Sequence, residues 1–555
     1  MGQVVSGQAP VWGDCYCRFR RDSFYIVRAA SPHEKPSRGG RSYSERVIPL
    51  SEAESACLAT LRGSGAMDLL NSLVADFWRL WPHLFFVTYV SLMAIASAHL
   101  VMYKKDTRAA IGWIGVVLMV PIFGALLYAV FGINRLQRRA LNLRGGATPR
   151  VASAGRYATD RQTVIAALPP GAKHLASLER LIHELTGRPL LGGNRVQQLV
   201  GGQEAYPQML AAIDEAKHSV AMSTYIFDND RAGAMFAEAL EGARARNVEV
   251  RVIIDAIGAR YTFPSIVGRL QAAGVPVGLF LPTLVPGRFA YANLRNHRKI
   301  LVTDGRLGFT GGLNIREGHD LSLHPKHPIE DHHFRVEGPA VAHLQEVFAE
   351  DWAFCTDELL QGETWFPELP KVGSALARGI SAGPDSDLDK LRLTLEGALS
   401  CAESSVCIVT PYFLPDAPLI AALNVAALRG VEVDIILPEA NNLALVKWAS
   451  TALLWQVLER GCRVWMSPPP FDHTKLMLVD RAWTLFGSGN WDPRSLRLNF
   501  EFDVECYDCE LAAELYQWME GKRKRARQVT LADVDSRGIP TRLRDGVARL
   551  LTPYL

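Results

Sequence analysis

Hydrophobic positions fall into distinct regimes along the chain. Residues 84–103 form an apolar run without Asp, Glu, Lys or Arg, and residues 110–132 form a second without any charged residue or histidine. Each is long enough to cross about 30 Å of hydrocarbon as a helix, and the missing charges argue against a pair of buried core helices. The short segment "KKDTRA" joins them, so a membrane hairpin with both outer ends on one side is expected. Lys104, Lys105 and Arg108 mark the loop, while Arg79, Arg135, Arg138, Arg139, Arg144 and Arg150 mark the other side. The larger basic count puts the long C-terminal part in the cytoplasm, on a chain that crosses the membrane more than once.

After a polar connector and the helical "KHLASLERLIHELTG", the pattern changes at about Asn194 to alternating strands and amphipathic helices. "SVAMSTYIF" reads as a strand, "AGAMFAEALEGARARN" as a helix and "VEVRVIIDAIG" as a buried strand. "SVCIVTPYF", "APLIAALNVAALRG" and "VEVDIILPEAN" repeat that order further on, with Tyr225 matched to Tyr412. An offset of about 180 residues is too long for a solenoid repeat and suits two duplicated α/β domains. The expected divisions are 1–66, an irregular extension; 67–140, the membrane hairpin; and 141–193, a connector. Two duplicated domains follow over 194–375 and 376–510, and a basic, amphipathic end over 511–555.

Composition narrows the function classes. A net charge of +3 supplies no global polycation for nucleic acid. The nine cysteines are odd in number and irregularly spaced, which does not describe a disulfide framework. Cys506 and Cys509 form a C-x-x-C without a second ligand pair, so no zinc site is expected there. The run "GHDLSLHPKHPIEDHH" carries five histidines with Asp320 and Asp331, but Pro325 and Pro328 break any helix that could present an i, i+4 pair. These read as loop histidines near a site mouth, and neither a metal nor another cofactor is expected. The opening "MGQVVS" formally fits an N-myristoylation signal, a short match that coincidence explains. Translation beginning at Met67 is an alternative account of residues 1–66.

The duplication extends into "NHRKILVTDGRLGFTGGLN" and "DHTKLMLVDRAWTLFGSGN". His297 matches His473, Lys299 matches Lys475, Asp304 matches Asp480, Gly311 matches Gly487 and Asn314 matches Asn490, without a gap. Five specified positions recur by chance in roughly one such chain in several thousand, and twice in one chain far less often. A lone strand histidine is ordinarily structural. Two copies in facing domains instead offer two lysines and two asparagine amides to one phosphate-type anion, with an imidazole on either side. One imidazole then attacks phosphorus, and the other protonates the departing alkoxide. Gly312 and Ser488 are read as letting the backbone approach the phosphate and as donating to it. Asp304 and Asp480, at the far ends of their strands, suit turn-capping or a structural salt bridge. Asp331 and Glu501 begin corresponding strands, and each is expected to orient a catalytic histidine, in one arrangement across the domain interface.

H-x-K-x4-D followed by G-[GS]-x-N, twice, resembles the phospholipase D superfamily. With two apolar segments ahead of the motifs, the chain is similar to that superfamily's bacterial cardiolipin synthases from about Met67 onward. "STYIF", "DAIG", "HFRVEGP", "TPYFLPD" and "RSLRLNFE" belong to the likeness. The resemblance implies an α/β fold of two phospholipase D-like domains related by a pseudo-twofold axis. It also implies a metal-independent transfer between two phosphatidylglycerol molecules that gives cardiolipin and glycerol through a phosphohistidine. The catalytic set would be His297, Lys299, Asp304, His473, Lys475 and Asp480, with His297 as nucleophile and His473 as general acid/base; the reverse assignment stays open. The implied site of action is a bacterial inner membrane, with lipid rather than nucleic acid as partner. "KRKRAR" and the amphipathic end from Ile539 could rest on anionic headgroups, or be a solvated run and a packed helix. A membrane-bound phospholipase D would use the same residues with water as acceptor. The sequence gives no reading of oligomeric state.

Overall fold

A computed structural model describes residues 15–20, 23–28, 65–104, 106–132, 153–158, 160–282 and 293–552. The chain divides into two compact units, Met1–Asn134 and Arg135–Leu555. In the first, Cys15–Arg20 and Ser23–Arg28 pair as an antiparallel hairpin, so this part of the extension is a regular element. Most of the remaining extension, including the myristoylation-like opening, lies outside the described residues.

Helix Gly65–Tyr103 contains the first apolar run and, over Asp68–Tyr103, is long and apolar enough to cross a membrane. The second run departs from the expected single helix. Thr107–Met119, capped by the Asp106 carboxylate, stops at Val120, and Pro121 opens a separate turn of helix through Leu127. Proline lacks the N–H for the preceding turn and its ring clashes with that turn's carbonyl, so the break falls where the residue stands. A helix of 13 residues spans only about 20 Å. The chain then doubles back, so closely that a Cβ on Gly124 would lie 2.6 Å from the Val116 carbonyl oxygen. Lys104 Nζ donates to the Gly132 carbonyl at 2.9 Å, and His99 Nδ1 lies 2.7 Å from the Tyr128 hydroxyl. The end of the second run therefore lies beside the loop, not at the opposite end as a two-span hairpin requires.

The second unit is built on one large mixed sheet. At its centre Leu191–Val200 pairs antiparallel with Ala375–Ala382. Outward on one side come His332–Glu337, Leu307–Gly311, Ile300–Thr303, Ser219–Thr224, Glu249–Asp255 and Val277–Phe280. On the other come Asn499–Tyr507, Trp483–Gly487, Leu476–Val479, Ser405–Val409, Glu432–Pro438 and Arg463–Ser467, then the short Arg527–Val529. The order is the same in both directions, and corresponding helices Arg231–Ala245 and Ala417–Leu428 are both capped by an aspartate, Asp230 and Asp416. The expected boundaries at 194 and 375 fall inside the two central strands, because the halves share a sheet and a core. Phe334 stacks on Phe486 at 3.8 Å, and Phe280 meets Phe500 edge-on at 5.3 Å, both across the halves.

The boundary at 510 cuts a helix. Cys509–Arg525 buries Leu511, Leu515 and Met519 in the core that holds Phe334, Phe486 and Phe502. Lys522, the head of "KRKRAR", is buried with its ammonium 2.5 Å from Glu330 and 2.7 Å from Asp472. It is thus unavailable to a headgroup and instead ties one half to the other. Arg523 is engaged with Asp434 and Glu520.

Arg378, on a central strand, is fully buried and donates to Glu505 at 2.5 Å and to the carbonyls of Arg188 and Glu179 at 3.1 Å. Trp483 Nε1 donates to the other Glu505 oxygen at 3.0 Å. Removing one partner of such a pair strands the other charge in the interior. Arg378→Met is therefore expected to lower unfolding free energy by about 3–5 kcal/mol in a denaturant titration. A loss below about 1 kcal/mol would contradict this account of the central strands.

Candidate active site

Each half sends a two-residue strand into the other. Arg295–Asn296 pairs parallel with Asn499–Phe500, and Phe471–Asp472 pairs parallel with Ile329–Glu330. The amide of His297 then donates to the Phe500 carbonyl at 2.9 Å, and that of His473 to the Glu330 carbonyl at 2.7 Å. Residues 297–299 and 473–475 pair with no strand of their own half; regular pairing resumes at Ile300 and Leu476. The His–Lys segments are thus crossing points rather than the heads of continuous strands. In each, the lysine folds back onto the carbonyl of its histidine, Lys299 to His297 at 2.6 Å and Lys475 to His473.

The crossing exchanges carboxylates. His297 Nδ1 lies 2.9 Å from Glu501 Oε2, and His473 Nδ1 lies 2.7 Å from Asp331 Oδ2. An ionised carboxylate only accepts, so each ring carries its hydrogen on Nδ1 and leaves the Nε2 lone pair free. Both histidines retain 9% exposure, so neither is sealed from solvent.

The two carboxylates are supported unequally. Burial pushes Glu501 up, but His297, Lys299 and the Ser488 hydroxyl outweigh it and hold it below its ordinary range. It accepts from Ser488 at 2.6 Å, Ser495 at 2.7 Å and Asn499 at 3.1 Å. Burial raises Asp331, against the opposing pull of Lys475, and its further donor is the His332 amide at 2.8 Å. Burial lowers His297 against the pull of Glu501, and it lowers His473 further, helped by Lys475 and Lys299. Burial also brings Lys299 down to about 7, opposed by Glu501 and helped by the charge of Lys475, and brings Lys475 down to about 8, opposed by Asp331 and Glu501.

Asn314 and Asn490 are both buried. Asn314 Oδ1 accepts from the Ile226 amide at 3.1 Å, which turns its amino group away from that backbone, and Asn490 Nδ2 gives one hydrogen to Ser495 and keeps the other. Gly312 and Ser488 do not do what was expected of them. A Cβ on Gly312 would lie 2.1 Å from Asp331 Oδ1, so the glycine makes room for the carboxylate. Ser488, at the matching position, is fully buried and spends its hydroxyl on Glu501. Asp304 and Asp480 sit at the far strand ends, away from the histidines. Asp304 accepts from the amides of Lys217, His218 and Ser219, and Asp480 from those of Glu403, Ser404 and Ser405 and from His174.

Other neighbours of the histidines were not among the expected site residues. Tyr225 meets His297 edge-on at 5.3 Å, and Tyr412 meets His473 at 6.2 Å; their matched positions in the repeat were the available clue. His319, from the histidine-rich run, is buried with its ring 6.1 Å from His473. His332 instead packs on Trp518 at 4.1 Å. Asp503 is buried and raised by burial to about 8, and it accepts from the Gly489 amide at 3.0 Å. Among the described residues no cluster of His, Cys, Asp and Glu is arranged to hold a metal ion.

Paired imidazoles, each on a carboxylate from the other half and under the charge of both lysines, define a phosphoryl-transfer site of the twofold histidine–lysine kind. Residues 209–352 and 395–523 match the family described as "Cardiolipin synthase, PLD-like domain", and residues 91–132 match "Phospholipase D-nuclease N-terminal". The chain belongs to the phospholipase D superfamily and, within it, to the cardiolipin synthase family. It is 29% identical over 481 residues to a cardiolipin synthase of Listeria monocytogenes, covering 86% of this chain and 100% of that one. It is 27% identical over 497 residues to cardiolipin synthase 1 of Bacillus cereus, covering 88% and 96%. The crystal structure of phosphatidylserine synthase from Haemophilus influenzae shares the fold, with a TM-score of 0.53 at 16% identity over 68% of this chain and 100% of that one.

Dimethyl phosphate, whose charge is constant near neutrality, probes the lysines directly. Below about pH 7 both are already charged and binding takes up few protons. Above that, a bound anion must draw protons onto Lys299 and then Lys475, so affinity falls by roughly tenfold per pH unit for each lysine neutralised. Calorimetry in buffers of different ionisation heat is expected to record that uptake between pH 7 and 9; affinity flat across this window would contradict it.

Proposed function

We propose that the chain is a cardiolipin synthase, transferring a phosphatidyl group between two phosphatidylglycerol molecules. The observation that carries this reading is the exchanged pairing of His297 with Glu501 and His473 with Asp331. It engages both Nδ1 atoms and leaves both Nε2 atoms available for chemistry, with Lys299 and Lys475 close enough to act on the rings electrostatically. His297 is the nucleophile, since the firmly ionised Glu501 stabilises the positive charge its ring gains when Nε2 bonds phosphorus. The phosphorus–oxygen bond to glycerol breaks, and His473, which enters this step as the imidazolium with Nδ1–H on Asp331 and a second proton on Nε2, gives the Nε2 proton to the departing alkoxide. His473 then takes the proton of a second phosphatidylglycerol's glycerol hydroxyl. That oxygen attacks phosphorus, the phosphorus–nitrogen bond breaks, and cardiolipin leaves. Lys299, Lys475, Asn314 and Asn490 hold the non-bridging oxygens throughout. The repeated strand order supports a pseudo-twofold relation between the halves, which is what sets two histidines on opposite sides of one phosphorus.

The apolar helix Gly65–Tyr103 supports a membrane-bound enzyme. Lys104 and Arg108 stand at the end where Gly132 lies, and Arg135, Arg138, Arg139 and Arg144 follow in sequence. Their sum favours a catalytic body on the cytoplasmic face of a bacterial inner membrane. One crossing helix and a doubled-back segment account for the described residues without a second crossing.

Incubation with phosphatidylglycerol labelled in its acyl chains tests the reading. Labelled cardiolipin with stoichiometric glycerol is expected; phosphatidic acid without cardiolipin would sink it in favour of hydrolysis. His297→Ala and His473→Ala are each expected to lower cardiolipin formation by about 10³-fold or more. Full product from either variant would remove the mechanism.

A further inference from the structure

The catalytic body carries an apolar surface that the transfer chemistry does not use. Helix Ile539–Leu550 is held to the body through Ala548, which joins Leu414, Val446, Ala449 and Leu453, and through buried Asp545, paired with Arg537 and Arg544. On the opposite face Ile539, Leu543, Val547 and Leu550 are 80%, 67%, 53% and 72% exposed. Their spacing puts all four in one stripe along the helix. At 3.6 residues per turn, Arg542 and Arg549 flank that stripe on one side and Arg544 on the other.

The helix that carries the stripe is linked to the active site through its packed face. The helix packs on Ala444–Thr451, whose approach carries exposed Leu443 and Leu445. The neighbouring Asn442 accepts from the Tyr412 hydroxyl at 2.9 Å, and the Tyr412 ring lies 6.2 Å from His473. In the other half Phe263 is 99% exposed, two residues after Tyr261, whose ring lies 6.2 Å from that of Tyr225 beside His297. A cleft of about 430 Å³ also opens beside the C-terminal helix, lined by Trp455, Glu459, Val534, Arg537, Arg542 and Arg549. Arg537 is committed to Asp545. Arg542 and Arg549 are exposed and, among the described residues, neither forms an ion pair.

We propose that this face docks on the surface of an anionic bilayer. The Ile539–Leu550 stripe enters the boundary between headgroups and acyl chains, and Arg542 and Arg549 take phosphate oxygens of lipid headgroups at the mouth of the cleft. Charge complementarity selects the occupant. A narrow apolar stripe with arginines on both flanks matches an apolar interior beneath a layer of phosphates. A second copy would set arginine against arginine. Docking brings His297 and His473 to the depth from which a headgroup can enter. The inference rests on the transferase reading only for the source of that substrate.

The full chain, reconstituted in nanodiscs of phosphatidylcholine alone or of phosphatidylcholine and phosphatidylglycerol in equal parts, tests it by hydrogen exchange. The amides of 539–552 are expected to exchange more slowly in the anionic discs. Each arginine near an anionic surface is worth roughly fivefold, so Arg542→Ala with Arg549→Ala is expected to cost about twenty-five-fold of that protection. Leu543→Asp, at an exposed position, is expected to abolish protection in both compositions. Equal exchange in both discs, protection untouched by the variants, or protection that follows protein concentration instead of lipid composition would overturn the proposal. Because exchange needs no turnover, the two readings fail separately. Cardiolipin formed without protection removes the docking alone, and protection without cardiolipin supports the docking while removing the transferase.

Discussion

The site depends on one exchange: each half supplies the carboxylate for the other half's histidine. Glu501 reaches His297 and Asp331 reaches His473 only because the two-residue strands Arg295–Asn296 and Phe471–Asp472 cross into the opposite half. Neither half supplies the carboxylate for its own motif histidine, His297 or His473. The shared sheet, the stacked Phe334 and Phe486, and Lys522 between Glu330 and Asp472 keep that crossing in register. A buried ion pair or triad contributes little net stability, but breaking it is costly, which makes such contacts suited to fixing an arrangement.

The repeated order of strands does not make the two histidines equivalent. Position 312 is glycine, leaving space that Asp331 occupies, while the matching position 488 is serine and donates to the longer Glu501. Ser495 and Asn499 add donors for which Asp331 has no counterpart beyond a backbone amide. One carboxylate is thus firmly anionic and the other is pushed toward its protonated form. Two groups of one chemical type are driven apart by their surroundings, which is how a single site holds a base and an acid together.

Much of this was legible in the chain. The His, Lys and Asn positions recur without a gap, and duplicated strand–helix–strand order is a pattern that periodicity reads well. Glu501 and Asp331 could be picked out because they lie at or near the starts of matching strands after matching motifs. What failed were properties that depend on tertiary neighbours. Gly312 and Ser488 look like flexible residues near a phosphate, and only the packed structure shows each serving a carboxylate. His319 is one of several loop histidines, and nothing local separates it from His324 or His327, which are exposed. The domain boundaries failed because a sheet continuous through Leu191–Val200 and Ala375–Ala382 leaves no linker to mark. The broken second apolar run did carry a signal in Pro121, which length and hydropathy alone pass over.

The account turns on a covalent bond between His297 Nε2 and phosphorus. Rapid quenching under alkaline conditions, with acyl-labelled phosphatidylglycerol and the full chain, tests it most directly. The account predicts label on the peptide containing His297, lost in His297→Ala and discharged as cardiolipin when unlabelled phosphatidylglycerol is added. Label on His473, or turnover with no labelled histidine in the pre-steady state, would contradict it.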